Sequence, residues 1–260
     1  MTRYPALAGL RIGCVQYLNS KPLIHDYDGP VQFDHPSGLA RDLAAGALDA
    51  ALVPVFEVLR GPRYFVADGV AIASDGPVFS VFLAHRGSLA EVRTIALDPA
   101  SLTSAHLLQV LLAEFHGLRP KCLDARKCGG KANAQLLIGN QAIDYRLADT
   151  EGHHLLDLGE EWKRCTGLPF VFAVWALRPD LPNAQSVAEA FRRLKTAGVG
   201  AISEIVAEEK EHPPQLSERY LRKHIRFDLG EREKAGLARF SELLAKYDFA
   251  PAGRSLPEFV

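Results

Sequence analysis

Tyr17-Leu18-Asn19-Ser20-Lys21-Pro22-Leu23 reads as the turn on which a first β-strand ends. The run Leu10-Arg11-Ile12-Gly13-Cys14-Val15 just before it is apolar and of strand length, and Pro22 stands where a helix or turn can begin. Asn19 and Ser20 therefore fall at the carboxyl end of that strand. In open α/β sheets this is the edge that meets ligands, and a helix amino terminus beside it offers free N–H groups to an anion. From this stretch alone, a plain turn-capping role for Asn19 and Ser20 is equally open.

Outward from there, Val31-Gln32-Phe33 is a second short strand, followed by the loop Asp34-His35-Pro36-Ser37-Gly38 with Ser37 placed as a cap. A helix is expected over residues 39–46, and then Leu48-Asp49-Ala50-Ala51-Leu52-Val53-Pro54-Val55 turns into a buried strand that stops at Pro54. Strand, helix and strand with short connections predict a parallel sheet. Glu57, just beyond, either faces a cleft or, more simply, is a solvated helix residue. Residues 70–73 and 79–84 are further strands parted by Ser74-Asp75-Gly76-Pro77. Ser80 puts a hydroxyl inside the second of these apolar runs. Once buried it needs a partner, either neighbouring backbone or a ligand.

The rhythm then repeats. Thr94-Ile95-Ala96-Leu97 is a strand, and a helix over about 105–115 carries Leu108, Leu111, Leu112 and Phe115 on one stripe. Ser101, Thr103 and Ser104 sit at its start. Capping accounts for one of these hydroxyls; three beside unpaired first-turn N–H groups can cradle a carboxylate. The run 134–138 reads as a buried strand closing on Gly139, with Asn140 at its carboxyl end. Residues 168–177 are almost continuously apolar, so this strand must be deeply buried. If the chain leaves along 79–84 and returns along 170–177, one lobe comprises 1–86 and 173–260, the other 87–172, and the ligand lies between them. Helices over 184–197 and 234–247 pack on the first lobe, and the charged stretch 204–211 reads as a solvated face.

The chain has 260 residues, 48% hydrophobic and 23% charged, which suits two α/β lobes of a globular protein. A formal net charge of −1 leaves no field to gather nucleic acid or an acidic membrane, so an anionic ligand must be held by local groups. Residues 1–9 contain no long apolar segment, so neither a signal peptide nor a membrane helix is drawn there and a cytoplasmic address is expected. Cys14, Cys122, Cys128 and Cys165 have no metal-ligand spacing with one another or with the histidines. Neither metal nor cofactor is expected, and the oligomeric state has no sequence signature.

YLNSKPL (17–23), GALDAALVPVFE (46–57), FSVFLA (79–84), SLTSAHLL (101–108), LLIGNQAI (136–143), LPFVFAVWAL (168–177) and the tail YLRKHIRFDL (220–229) together resemble the chorismate dehydratase family of the futalosine route to menaquinone. The resemblance implies a two-lobed fold of the type II periplasmic-binding-protein class and dehydration of chorismate to 3-[(1-carboxyvinyl)oxy]benzoate. It implies substrate positioning by Asn19 and Ser80, and carboxylate binding by Thr103 and Ser104. Ser20, Ser101 and Asn140 complete the expected substrate contacts. No His, Asp or Glu stands in these motifs as an obvious base, which leaves either Glu57 or the substrate's own enolpyruvyl carboxylate as proton acceptor. Where the family more usually carries Gly-Asp, this chain has Gly139-Asn140, and an amide there can donate as well as accept. Two other readings share the fold: a cytoplasmic binding protein for a small carboxylate, and the sister enzyme that makes a dihydroxynaphthoate, whose opening motif is of a different, Ser-Pro-Cys-Pro-Asn type.

Overall fold

Short apolar runs broken by Gly- and Pro-bearing turns fold into two sheets built to one plan. The structure, a computed structural model, describes residues 3–98, 101–148 and 152–260. In chain order the elements are β1 (Ile12–Cys14), β2 (Val31–Phe33), α1 (Pro36–Ala44), β3 (Ala50–Pro54), α2 (Val55–Arg60), β4 (Phe65–Ser74), β5 (Val81–His85), β6 (Thr94–Leu97), α3 (Leu102–Phe115), β7 (Lys121–Asp124), β8 (Ala134–Ile138), α4 (Gly139–Leu147), β9 (His154–Asp157), α5 (Leu158–Thr166), β10 (Phe170–Leu177), α6 (Ala184–Gly200), α7 (Ile202–Glu208), α8 (Pro214–Arg219), α9 (Glu231–Lys246) and β11 (Glu258–Phe259). A 3-10 turn, Leu18–Leu23, follows β1, and a π-helical turn, Tyr220–His224, follows α8.

The first sheet has the order β11-β4-β10-β3-β1-β2 and the second β7-β6-β8-β5-β9. In the first, β1, β2 and β3 are parallel and β10 lies antiparallel between β3 and β4. In the second, β6, β7 and β8 are parallel and β5 lies antiparallel between β8 and β9. In each sheet the strand that has just arrived from the other lobe takes the same inner place. This shifts the lobe boundary expected from sequence. Residues 81–85 belong to the second sheet, so the chain crosses within 75–80 rather than after Arg86, and it is back in the first sheet by Phe170, which pairs with Ser74. An apolar run of five buried residues suits an inner strand of either sheet, which is why its pattern could not assign it.

β10 is covered on both sides, as its sequence requires: Trp175 stacks on Phe191 of α6 at 4.1 Å, and Phe170 meets Trp162 of α5 and Phe240 of α9 edge-on. Trp162 donates its indole N–H to the Pro169 carbonyl at 3.1 Å, so α5 is fastened where the chain re-enters the first sheet. α1 starts at Pro36 with His35 as the capping position, one turn earlier than expected; Ser37 is inside the helix and is not its cap. Pro99 and Ala100, in the approach to α3, lie outside the described residues.

Candidate active site

Asn19, Ser80, Ser101, Thr103 and Ser104 line a single cleft between the two sheets. The 3-10 turn after β1 supplies Asn19, the crossover supplies Ser80, and the first turn of α3 supplies the other hydroxyls. Pro54 ends β3 at the cleft, and Phe172 and Ala173 of β10 form apolar wall. The cleft holds about 620 Å³ not filled by atoms, part of it continuous with solvent.

Among the described lining residues none is Lys, Arg, His, Asp or Glu. The polar groups that do face the cleft are neutral and incompletely bonded: Asn19 Oδ1 and Ser101 Oγ are buried with no hydrogen-bond partner. Ser101 precedes α3 at its capping position yet makes no capping bond, so the capping role open to it from sequence is not the one it takes. Thr103 Oγ1 accepts from the Phe56 N–H at 3.1 Å, which ties the second lobe to the first turn of α2. Buried polar atoms without partners are rare in native proteins; Ser101 Oγ, with the Thr103 and Ser104 hydroxyls at the amino terminus of α3, is suited to a negatively charged ligand, and Asn19 Oδ1 to a hydrogen-bond donor. A second helix, α4, starts in the same cleft at Gly139. That residue has φ of 60°, and a Cβ there would lie 2.9 Å from the Tyr17 ring, so glycine is required twice over.

Ser80 is aimed by a strained backbone. Phe79 has φ of 69°, costly for a bulky residue, and is held by bonds from its neighbours. Asp157 accepts from the N–H groups of Val78 and Phe79 at 3.0 and 2.8 Å, while Arg146 Nε donates to the Phe79 carbonyl at 2.7 Å and reaches Asp157 at 3.2 Å. Asp157 also caps α5 through the N–H groups of Gly159 and Glu160. Sequence reasoning missed this clamp. Asp157-Leu158-Gly159-Glu160 carries a legible capping pattern, but nothing local says that the same carboxylate holds residues 78–79. It missed Tyr220 as well, whose hydroxyl lies 2.7 Å from Ser80 Oγ, because 140 residues separate the two.

Four expectations are corrected. Ser20 does not line the cleft: it is fully buried and its hydroxyl lies 2.6 Å from the Val15 carbonyl and 2.8 Å from that of Tyr17, locking the turn that presents Asn19. Asn140 lies outside the main cleft, on an adjoining depression, where its Oδ1 accepts from the Leu18 N–H at 3.2 Å and its Nδ2 donates to Glu211 at 2.8 Å. It is a bridge between lobes. Beside it, Glu209 is buried against Lys21 at 2.6 Å and His212 pairs with Asp144 at 3.1 Å, so the stretch 204–211 is not simply a solvated face. Glu57, finally, is neither solvated nor in the cleft. It is buried beside Arg60 at 3.4 Å and near Tyr64, whose phenol burial and this carboxylate push up to about 12. Glu57→Gln is therefore expected to keep kcat within about threefold of the unaltered protein, the small change coming through packing. Loss of turnover with the fold intact would make Glu57 the base.

A profile of the menaquinone biosynthesis family matches residues 10–246. The chain belongs to this family. Its relatives include the chorismate dehydratase of Thermus thermophilus, 32% identical over 266 residues that cover 92% of this chain and 96% of the relative. Family membership agrees with the ordered motifs from YLNSKPL to LPFVFAVWAL. Among solved structures, a protein from Archaeoglobus fulgidus superposes with a TM-score of 0.75 at 15% identity, covering 92% of this chain and 98% of that one. A Candida albicans protein described as having the generic periplasmic binding protein fold gives 0.63 at 13% identity, covering 95% and 92%. The fold is of this periplasmic-binding-protein type, as the motifs imply.

Proposed function

We propose that the chain is a hydro-lyase that removes water from chorismate to give 3-[(1-carboxyvinyl)oxy]benzoate for menaquinone biosynthesis. The observation that carries this reading is a cleft whose described lining offers neutral hydroxyl, amide and helix-terminal N–H groups and no titrating base. One carboxylate of the substrate lies at the start of α3 with Ser101, Thr103 and Ser104. Asn19 and Ser80 hold the ring near the departing hydroxyl. The enolpyruvyl carboxylate takes the proton from the ring carbon that bears its ether oxygen, and the adjacent C–O bond breaks. The departing hydroxide recovers that proton, so water leaves and the carboxylate is regenerated. Aromatisation drives the step, and the protein's part is orientation and stabilisation of developing charge.

The relative named above supports the same reading, as does its coverage of nearly the whole chain. A cytoplasmic setting fits four unpaired thiols, and no helix among the described residues is long and apolar enough to cross a membrane. Incubation of the purified protein with chorismate, followed by NMR, should show one equivalent of the enolpyruvyl benzoate. A substrate carboxylate titrates at about 3–4, and burial holds the Tyr17 phenol above its ordinary value, so kcat should stay level from about pH 6 to 9. Chorismate recovered unchanged would leave a binding protein. A limb near neutrality would assign the proton to a side chain instead.

A further inference from the structure

We propose that Tyr220, which does not line the cleft, is a positioning residue that fixes the orientation of the Ser80 hydroxyl toward the substrate; this rests on the dehydratase reading above. Tyr220 and Ser80 are both fully buried and their oxygens are 2.7 Å apart. Either oxygen can donate, and in both directions the bond fixes the rotation of the Ser80 hydroxyl and leaves its remaining hydrogen or lone pair for the cleft. Asn19 Oδ1, buried and without a partner, is left as an acceptor for the substrate. Burial pushes the Tyr220 phenol well up, so it stays protonated.

The backbone is built to deliver this hydroxyl. Tyr220 opens a π-helical turn closed by the Ile225 N–H on the Tyr220 carbonyl at 3.3 Å, a five-residue bond that replaces the usual four-residue one. One residue fewer in that turn would swing the following chain by about a quarter of a helical turn or more. The ring also packs against Phe79 at 6.2 Å, the strained residue next to Ser80. The partner is therefore fixed at both ends: Ser80 by the clamp on Phe79, Tyr220 by the widened turn.

The test is a double-mutant cycle on chorismate turnover with Tyr220→Phe, Ser80→Ala and the pair. Tyr220→Phe should lower kcat about 30- to 100-fold with KM within about threefold, because the lost bond orients the Ser80 hydroxyl rather than binds substrate. In the Ser80→Ala background the same change should cost less than about threefold, since its target is gone. Independent, multiplying effects, or a Tyr220→Phe enzyme within threefold of the parent, would overturn the proposal. Should Tyr220→Phe fail to fold, a ring-fluorinated tyrosine placed at 220 keeps both shape and hydroxyl. Its more acidic phenol should bring the alkaline fall of kcat to lower pH, and an unmoved profile would count against the positioning role. If the unaltered protein does not turn chorismate over, the dehydratase reading fails and takes this inference with it; turnover without coupling sinks this inference alone.

Discussion

Asn19→Ala should reduce kcat by about 100- to 1,000-fold while leaving the melting temperature nearly unchanged, the loss found when one preorganised polar group at a reacting centre is removed. The asymmetry follows from its bonding. Asn19 Oδ1 is buried without a partner, and deleting an unsatisfied acceptor gives back a desolvation cost instead of incurring one. The turn that carries it is held independently by Ser20, whose hydroxyl meets two backbone carbonyls, so the backbone stays where it is. Asn19→Asp is the sharper variant. It keeps the shape but sets a carboxylate in a cleft whose described lining has no cation, facing a dianion, so KM should rise steeply and kcat fall. Steady-state kinetics with chorismate and a melting curve for each variant check both. Near-normal turnover by Asn19→Ala would reduce the residue to a spacer.

Asp157→Ala should destabilise the protein by about 3–5 kcal/mol, as expected when one member of a buried, hydrogen-bonded ion pair is removed. Its carboxylate is almost wholly buried and serves four backbone N–H groups as well as Arg146. Removal strands all of them. For a chain of this size the loss corresponds to a fall in Tm of about 10 °C. Activity should suffer beyond stability, because without Asp157 the N–H groups of Val78 and Phe79 lose their acceptor and the positive φ of Phe79 is held less firmly, and Ser80 follows directly. Arg146→Lys should reproduce part of the kinetic defect: Arg146 reaches the Phe79 carbonyl and Asp157 through two separate nitrogens, whereas a lysine offers a single one and no planar group over the Phe79 and Phe82 rings, 4.7 and 4.6 Å from the guanidinium carbon. Denaturant titration and kcat at a temperature where every variant is folded separate the two effects. An Asp157→Ala protein that loses stability yet turns over normally would show that the clamp serves folding alone.

What the sequence discloses here is whatever depends on periodicity and punctuation. Residues 50–54 and 170–177 are inner strands because nothing polar interrupts them, and the stripe Leu108, Leu111, Leu112 makes α3. The hydroxyls at the start of α3 were legible as a group, since a helix end leaves N–H groups unpaired wherever it occurs. What escaped depends on tertiary direction. Asn19 and Ser20 are neighbours in a 3-10 turn, where successive side chains diverge by about 120°, so one reaches the cleft and the other the turn's own carbonyls. Gly139 and Asn140 divide in the same way, one lining the cleft and one bridging outside it. Glu57 looked solvated because carboxylates usually are, and its i,i+3 spacing from Arg60 announces a partner but not the burial of the carboxylate. Tyr220 lacked even an ambiguous signal, since its meaning resides in a residue far away along the chain.

The two passages between lobes leave the first sheet side by side: Ser74 at the end of β4 is paired with Phe170 at the start of β10. Twin straps anchored on adjacent strands resist swivelling far more than bending, so relative movement is steered onto a single axis running across them. Opening then behaves as a book does on its spine. Ser80, at the end of one strap, lies near that spine, while the α3 hydroxyls sit on the facing page.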